Sequence, residues 1–271
     1  MIYCKVLDKQ FADKKAMFKE LMERQGEIIE LKKAAIKTTD SCAAFIKAST
    51  EKSEARTELK FGDTISAVIN TTNYLDSHDD VHMASVWNKS IQEQQGKVYH
   101  VVDHDLKIGK IVGYPKDVVM ELRTLPWSEL GYNAEGMTTA LIFNTKMSDK
   151  TNQDVFKGYR DGEPLQHSIR MQYEKIAFAC NDPEYKEAYA LFTSLLPSIV
   201  NKDKVEENGY FFAVYEAKIY KEGSTVIFGS NDITPLLPNT TTQETQPQKS
   251  TEQAKPIDFV AMCKQANIYK S

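Results

Sequence analysis

"LQHSIRMQYEKIAFA", residues 165–179, decides how the rest of the chain reads. Apolar and polar residues alternate along it, and a period of two is the mark of a strand with one buried face. His167, Ile169, Met171 and Tyr173 fall on one face, the core side. Ser168, Arg170, Gln172 and Glu174 fall on the other, which is polar.

Reading outward from that strand, "DPEYKEAYALFTSLLPSI" (182–199) predicts a helix with Asp182 placed to cap it, and "GYFFAVYEAKIYKEGSTVIFG" (209–229) is strand-rich. On the other side, "DKTNQDVFKGYRDG" (149–162) predicts a helix ending in a glycine turn. "MTTALIFNTKM", "DVVMELRTL" and "KVYHVV" predict strands, and "VHMASVWNKSIQEQQG" a helix stopped by Gly96. "TISAVINTTNYL", rich in β-branched residues, predicts a strand running into an Asp-rich turn. Many strands punctuated by a few helices, without a regular βαβ alternation, give an α+β fold: a β-barrel-like, mostly antiparallel sheet with surrounding helices.

The flanks differ in texture. Residues 8–36 predict one charged helix, with Met17, Leu21, Ile28, Leu31 and Ala35 on its apolar stripe and Gly26 weakening its middle. It reads either as a helix packed on the domain or as a coiled-coil or partner helix. Residues 37–58 read as a connector with a short helix. Residues 236–256 hold no aromatic and are dominated by Thr, Gln and Pro, which predicts a flexible, disordered linker. Residues 257–271 regain apolar side chains and read as a C-terminal docking peptide, capped by Asp258, or as a helix folded back onto its own domain. The domains expected are therefore 1–58, helical; 59–235, the strand-rich domain; 236–256, the linker; and 257–271, the docking peptide.

The 271 residues are 41% hydrophobic, enough for a sizeable core, and carry a net charge of -4. No basic stripe interleaved with aromatics is present, so nucleic acid is not an expected partner. No apolar run reaches the roughly 20 residues that span a bilayer, and no secretory leader is apparent, so no membrane is expected. Cys4, Cys42, Cys180 and Cys263 lie far apart with no CxxC, which suits a reducing compartment and neither a zinc knuckle nor a disulfide framework.

Three segments hold side chains able to do chemistry together. His104, in "VVDHDLKIGKIVG" (101–113), ends a strand whose alternation puts Val98, His100, Val102 and His104 on one face; a neutral imidazole there suits a general base. Ser168 lies on the polar face of its strand, with Arg170 one pleat along as a candidate oxyanion or substrate donor. Glu222, ahead of "STVIF", could orient the histidine, with Asp103 and Asp105 next in line for that role. Each residue alone would more often be structural. A metallohydrolase is the rival chemistry, because "HDDVH" and "HVVDH" space histidines four apart. Neither has the glutamate of HExxH, and on a strand that spacing is about 13 Å.

Taken in order, three blocks resemble the tailed-phage prohead (capsid maturation) proteases, a family similar in fold to the herpesvirus assemblins. They are "DSHDDVHMASVWNKSIQEQQGKVYHVVDHDLKIGKIVG", "GYRDGEPLQHSIRMQY" and "AKIYKEGSTVIFGSNDIT", within residues 63–235. The resemblance implies His104 as base, Ser168 as nucleophile and Glu222 as third member, with no cofactor. Ile169 and Arg170 stand where the family commonly has a glycine nearby, and residues 178–208 form a longer segment than compact members need. A serine endopeptidase inside the prohead, in the host cytoplasm, is the implied activity. Major capsid protein and scaffold would be its substrates, and the C-terminal tail could dock on portal or capsid; a homo-oligomer is compatible with this. The non-enzymatic alternative is a catalytically silent internal scaffold or assembly protein with the same fold.

Overall fold

The computed structural model describes residues 1–37, 59–229, 231 and 233–237. The linker and docking peptide expected within 236–271 therefore lie outside the described residues from 238 onward, as do the connector over 38–58, Cys42 and Cys263. The described residues fall in one compact unit, 1–238, so the N-terminal segment packs with the strand-rich region.

The chain is α+β with mostly antiparallel sheets, but the strands do not close into a barrel. A hairpin of β1 (Ile2–Cys4) and β2 (Lys9–Phe11) stands by itself. A three-stranded antiparallel sheet runs in the order β3 (Thr64–Thr71), β8 (Met137–Lys146), β7 (Val118–Pro126). The five-stranded sheet has the order β4 (Asp80–His82), β10 (Tyr210–Val226), β5 (Tyr99–Val102), β6 (Ile111–Gly113), with β9 (Gln166–Cys180) pairing β10. β4 and β5 run parallel to β10 along one edge, while β9 runs antiparallel along the other.

The alternation in β9 does what its pattern predicts: Ile169, Met171 and Tyr173 are buried in the main core. They meet Ile65 and Ile69 of β3 and Phe143 of β8 there. β3 and β8 are apolar on both faces because their other side packs Val68, Ala140 and Ile142 against Trp127 and Leu130.

Three helical expectations need correction. The single helix over 8–36 is a hairpin followed by two helices, α1 (Lys14–Glu23) and α2 (Gln25–Ala34). Asp13 sets the start of α1 by accepting from the Ala16 N–H at 2.8 Å, and Arg24, at φ -102° and ψ 8°, leaves the helical region and separates the two. Met17, Phe18, Leu21 and Ile28 pack on Phe178, Tyr210 and Phe212, while Leu31 is exposed. The helix expected from Val81 begins only at α3 (Asn88–Gln94), since Val81 is drawn into the ladder opposite Ala213. Asp182 does not cap α5 (Lys186–Leu195); it accepts from the Glu184 N–H in the turn before it. α6 (Lys202–Asn208) was not expected, whereas α4 (Gln153–Asp161) was. Leu236 and Leu237, placed in the linker by composition, pair with β3 at Ala67 and Ser66.

Two buried polar networks tie these elements. In one, Asp80 is fully buried and takes Lys32 at 2.5 Å, Lys37, and the Tyr173 hydroxyl at 2.8 Å. Burial alone would push the Asp80 carboxyl up, but the two lysines together hold it well below the usual carboxylate range. Lys37 also exchanges both main-chain hydrogen bonds with Met171, fastening the end of the N-terminal segment to the outer edge of β9.

The other network runs through the core: the Thr234 carbonyl, His167, Tyr159, Thr225, His100 and Thr145. A carbonyl only accepts, so His167 is protonated on Nδ1 and its Nε2 accepts from Tyr159. Tyr159 then accepts from Thr225, Thr225 from His100 Nε2–H, and His100 Nδ1 from Thr145.

Two measurements check these networks. Asp80→Asn leaves two buried lysines without their counter-charge and is expected to cost about 3–5 kcal/mol in urea unfolding; a loss below about 1 kcal/mol would show the pair to be idle. Burial pushes His82 and His167 down from 6.5 to about 4, and holds His100 well below the ordinary histidine value. Below the ordinary histidine value the unfolded chain takes up protons that these buried rings refuse, so stability falls as pH drops from 6.5 towards 4. His167→Gln should flatten that slope by up to about 1.4 kcal/mol per pH unit, and an unchanged slope would contradict it.

Candidate active site

The ladder between β5 and β10 extends one step past the strand, with the Asp103 N–H donating to the Thr225 carbonyl at 3.0 Å. The chain then turns sharply: Asp103 and His104 both take left-handed conformations, at φ 54° and 55°. That region costs a non-glycine residue on the order of 1–2 kcal/mol. The turn corrects the expectation that His100 and His104 share a strand face. His100 stays in the core network, and His104 crosses to the outer side of β9 and β10.

Three bonds hold His104 there. Its N–H donates to Ser224 Oγ at 2.8 Å, its Nδ1–H to Glu222 Oε1 at 2.8 Å, and its carbonyl accepts from Arg170 Nη2 at 2.8 Å. With Nδ1 donating to a carboxylate, a neutral ring keeps its lone pair on Nε2, the nitrogen able to take a proton.

Glu222 is fully buried. It owes its aim to a bulge: between Ile219 and Gly223 the register slips against β9, and Lys221 adopts φ 69°. Gly223 is required where it stands, because a Cβ there would lie 2.7 Å from Phe143 Cε2. The sharp turn into Glu222 and the close packing behind it thus occupy adjacent positions. Asp103 and Asp105, the alternative acids, lie by lysines of their own turn, at 4.0 Å from Lys110 and 3.0 Å from Lys107.

Ser168 is placed by register. It sits opposite Ser224 in the β9–β10 ladder, and opposite residues in such a pair project to the same face with Cβ atoms about 5 Å apart. Ser224 is the side chain that receives the His104 N–H, so the Ser168 hydroxyl is one rung from the base. The face predicted to be polar is covered at Ser168, which is 5% exposed. His167, its neighbour in sequence, points to the opposite face and is used by Tyr159 and Thr234.

Arg170 shares the Ser168 face, as alternation predicts. Its guanidinium lies along the base and the acid, with Nη2 on the His104 carbonyl and Nε 3.2 Å from Glu222 Oε1. His104, Ser168, Arg170 and Glu222 are therefore gathered on one face, although 118 residues separate His104 from Glu222. Ser224 was not anticipated, although alternation alone places it on the same face as Glu222; the register then sets it opposite Ser168.

Such an arrangement can remove a proton from a hydroxyl and hold the resulting imidazolium against a buried carboxylate. Metal chemistry has less to build on. His82 is committed to Asn70 and Tyr173, and His100 to two threonines. Among the described residues, no group of three or more His, Cys, Asp or Glu is arranged to hold a metal ion. Nor, among them, is any helix long and apolar enough to cross a membrane. Comparison with protein-family models, with curated proteins and with solved structures returns no match.

Proposed function

We propose that the chain is a serine endopeptidase of phage capsid maturation, acting by a Ser-His-acid mechanism. The observation that carries the reading is the His104 Nδ1–H bond to the buried Glu222, made by a residue whose main chain is tied to the strand position opposite Ser168. In this mechanism His104 Nε2 takes the Ser168 proton as Oγ attacks the scissile carbonyl. Glu222 fixes the tautomer and stabilises the imidazolium. The imidazolium then gives its proton to the departing amine, and water, activated in the same way, releases the acyl group.

The resemblance to the prohead proteases supplies the setting. Scaffold and major capsid protein are the substrates, within the prohead in the host cytoplasm. The open, mostly antiparallel sheets with a shared core are the counterpart of an assemblin-like barrel. The C-terminal residues serve as the attachment to portal or capsid. One observation favours the second reading, a silent internal scaffold: Ser168 is only 5% exposed, so a substrate reaches it only if its cover yields.

The deciding measurement is mass spectrometry of co-expressed scaffold and capsid protein, together with labelling by a fluorophosphonate reagent. Ser168→Ala should abolish both cleavage and labelling while changing stability by about 1 kcal/mol or less. Glu222→Gln should slow both at least tens-fold without eliminating them. Full cleavage by a folded Ser168→Ala protein would remove Ser168 as nucleophile, and a wild-type chain inert to both would favour the scaffold.

A further inference from the structure

Arg170 is the side chain that touches both the base and the acid. Its Nη2 donates to the His104 carbonyl at 2.8 Å, and its Nε lies 3.2 Å from the same Glu222 oxygen that accepts from His104 Nδ1. The guanidinium is 22% exposed, and Glu222 is fully buried. The second carboxylate oxygen, Oε2, is buried with no hydrogen-bond partner among the described residues, so Oε1 alone carries both contacts.

We propose that Arg170 is the positioning residue of the base: it pins His104 in its left-handed turn. The inference rests on His104 acting as the base. The pinning follows from geometry. Two consecutive non-glycine residues at positive φ persist only when their surroundings over-determine them. For His104 those surroundings include bonds to Ser224, Glu222 and Arg170, and the one from Arg170 holds the carbonyl.

Two variants test the pinning. Arg170→Gln removes the charge and the fork, and Arg170→Lys keeps the charge but presents one ammonium where two contacts are needed. Two readouts are taken on the full chain: the rate of Ser168 labelling by a fluorophosphonate, and the NMR HN–Hα coupling of His104, which reports its φ. In both variants labelling should slow about ten-fold, and the coupling should leave the value of the left-handed turn. An unmoved coupling in a folded Arg170→Gln protein overturns the pinning. Wild-type labelling rates in Arg170→Lys overturn it too, and that variant carries the test where Arg170→Gln does not fold. A wild-type chain that never labels, but whose His104 coupling moves in Arg170→Gln, retires the hydrolase reading and leaves the pinning standing.

Discussion

The β9–β10 ladder is the constraint on which the rest depends. β10 pairs along most of its length with β9 and gives its other edge to β4 and β5. Each pairing alone is a modest stabilisation, but the register couples them. Slipping β9 by one residue would turn Ile169, Met171 and Tyr173 out of the core and Ser168 and Arg170 into it. The apolar face thus fixes where the polar face stands. The hydroxyl, the guanidinium and the carboxylate are aligned because the opposite side of the same two strands is packed.

That packed side is polar where it backs the site. His167 and Thr225 are sequence neighbours of Ser168 and Ser224, and they point inward to the chain of hydrogen bonds that ends at the Thr234 carbonyl and at Thr145. A fully satisfied network of this kind has one arrangement of donors and acceptors. It holds β5, β8, β9, β10 and α4 in one register behind the face where His104 lies. The lysines on Asp80 do the same for the N-terminal segment at the other end of β9.

Much of this was legible in the chain. Alternation located β9 and sorted its two faces, and β-branched runs marked β3, β7 and β8. Local pattern failed where a distant partner decided the outcome. Val81 was drawn into a parallel ladder with residues more than a hundred positions on, against a helical-looking sequence. Arg24 broke a helix whose charged periodicity ran straight through it. His104 left the face its strand predicted because Ser224, Glu222 and Arg170 stabilise a left-handed turn that no propensity favours. Glu222 could be named from its block, but not aimed: its direction comes from a bulge against β9 and from a glycine chosen by Phe143.

The position of β10 at the C-terminal end of the described strands has a consequence for synthesis. A ribosome makes β4, β5 and β9 first, and none of the three pairs with another of them in the five-stranded sheet. Until β10 emerges, their edges have no common partner and the histidine turn has neither Ser224 nor Glu222 to hold it. Assembly with contacts this distant in sequence is slow, because loop closure is paid before any pairing compensates it. The nascent chain therefore carries the serine and the histidine as separate, unarmed pieces, and the last of the described strands brings them into one site.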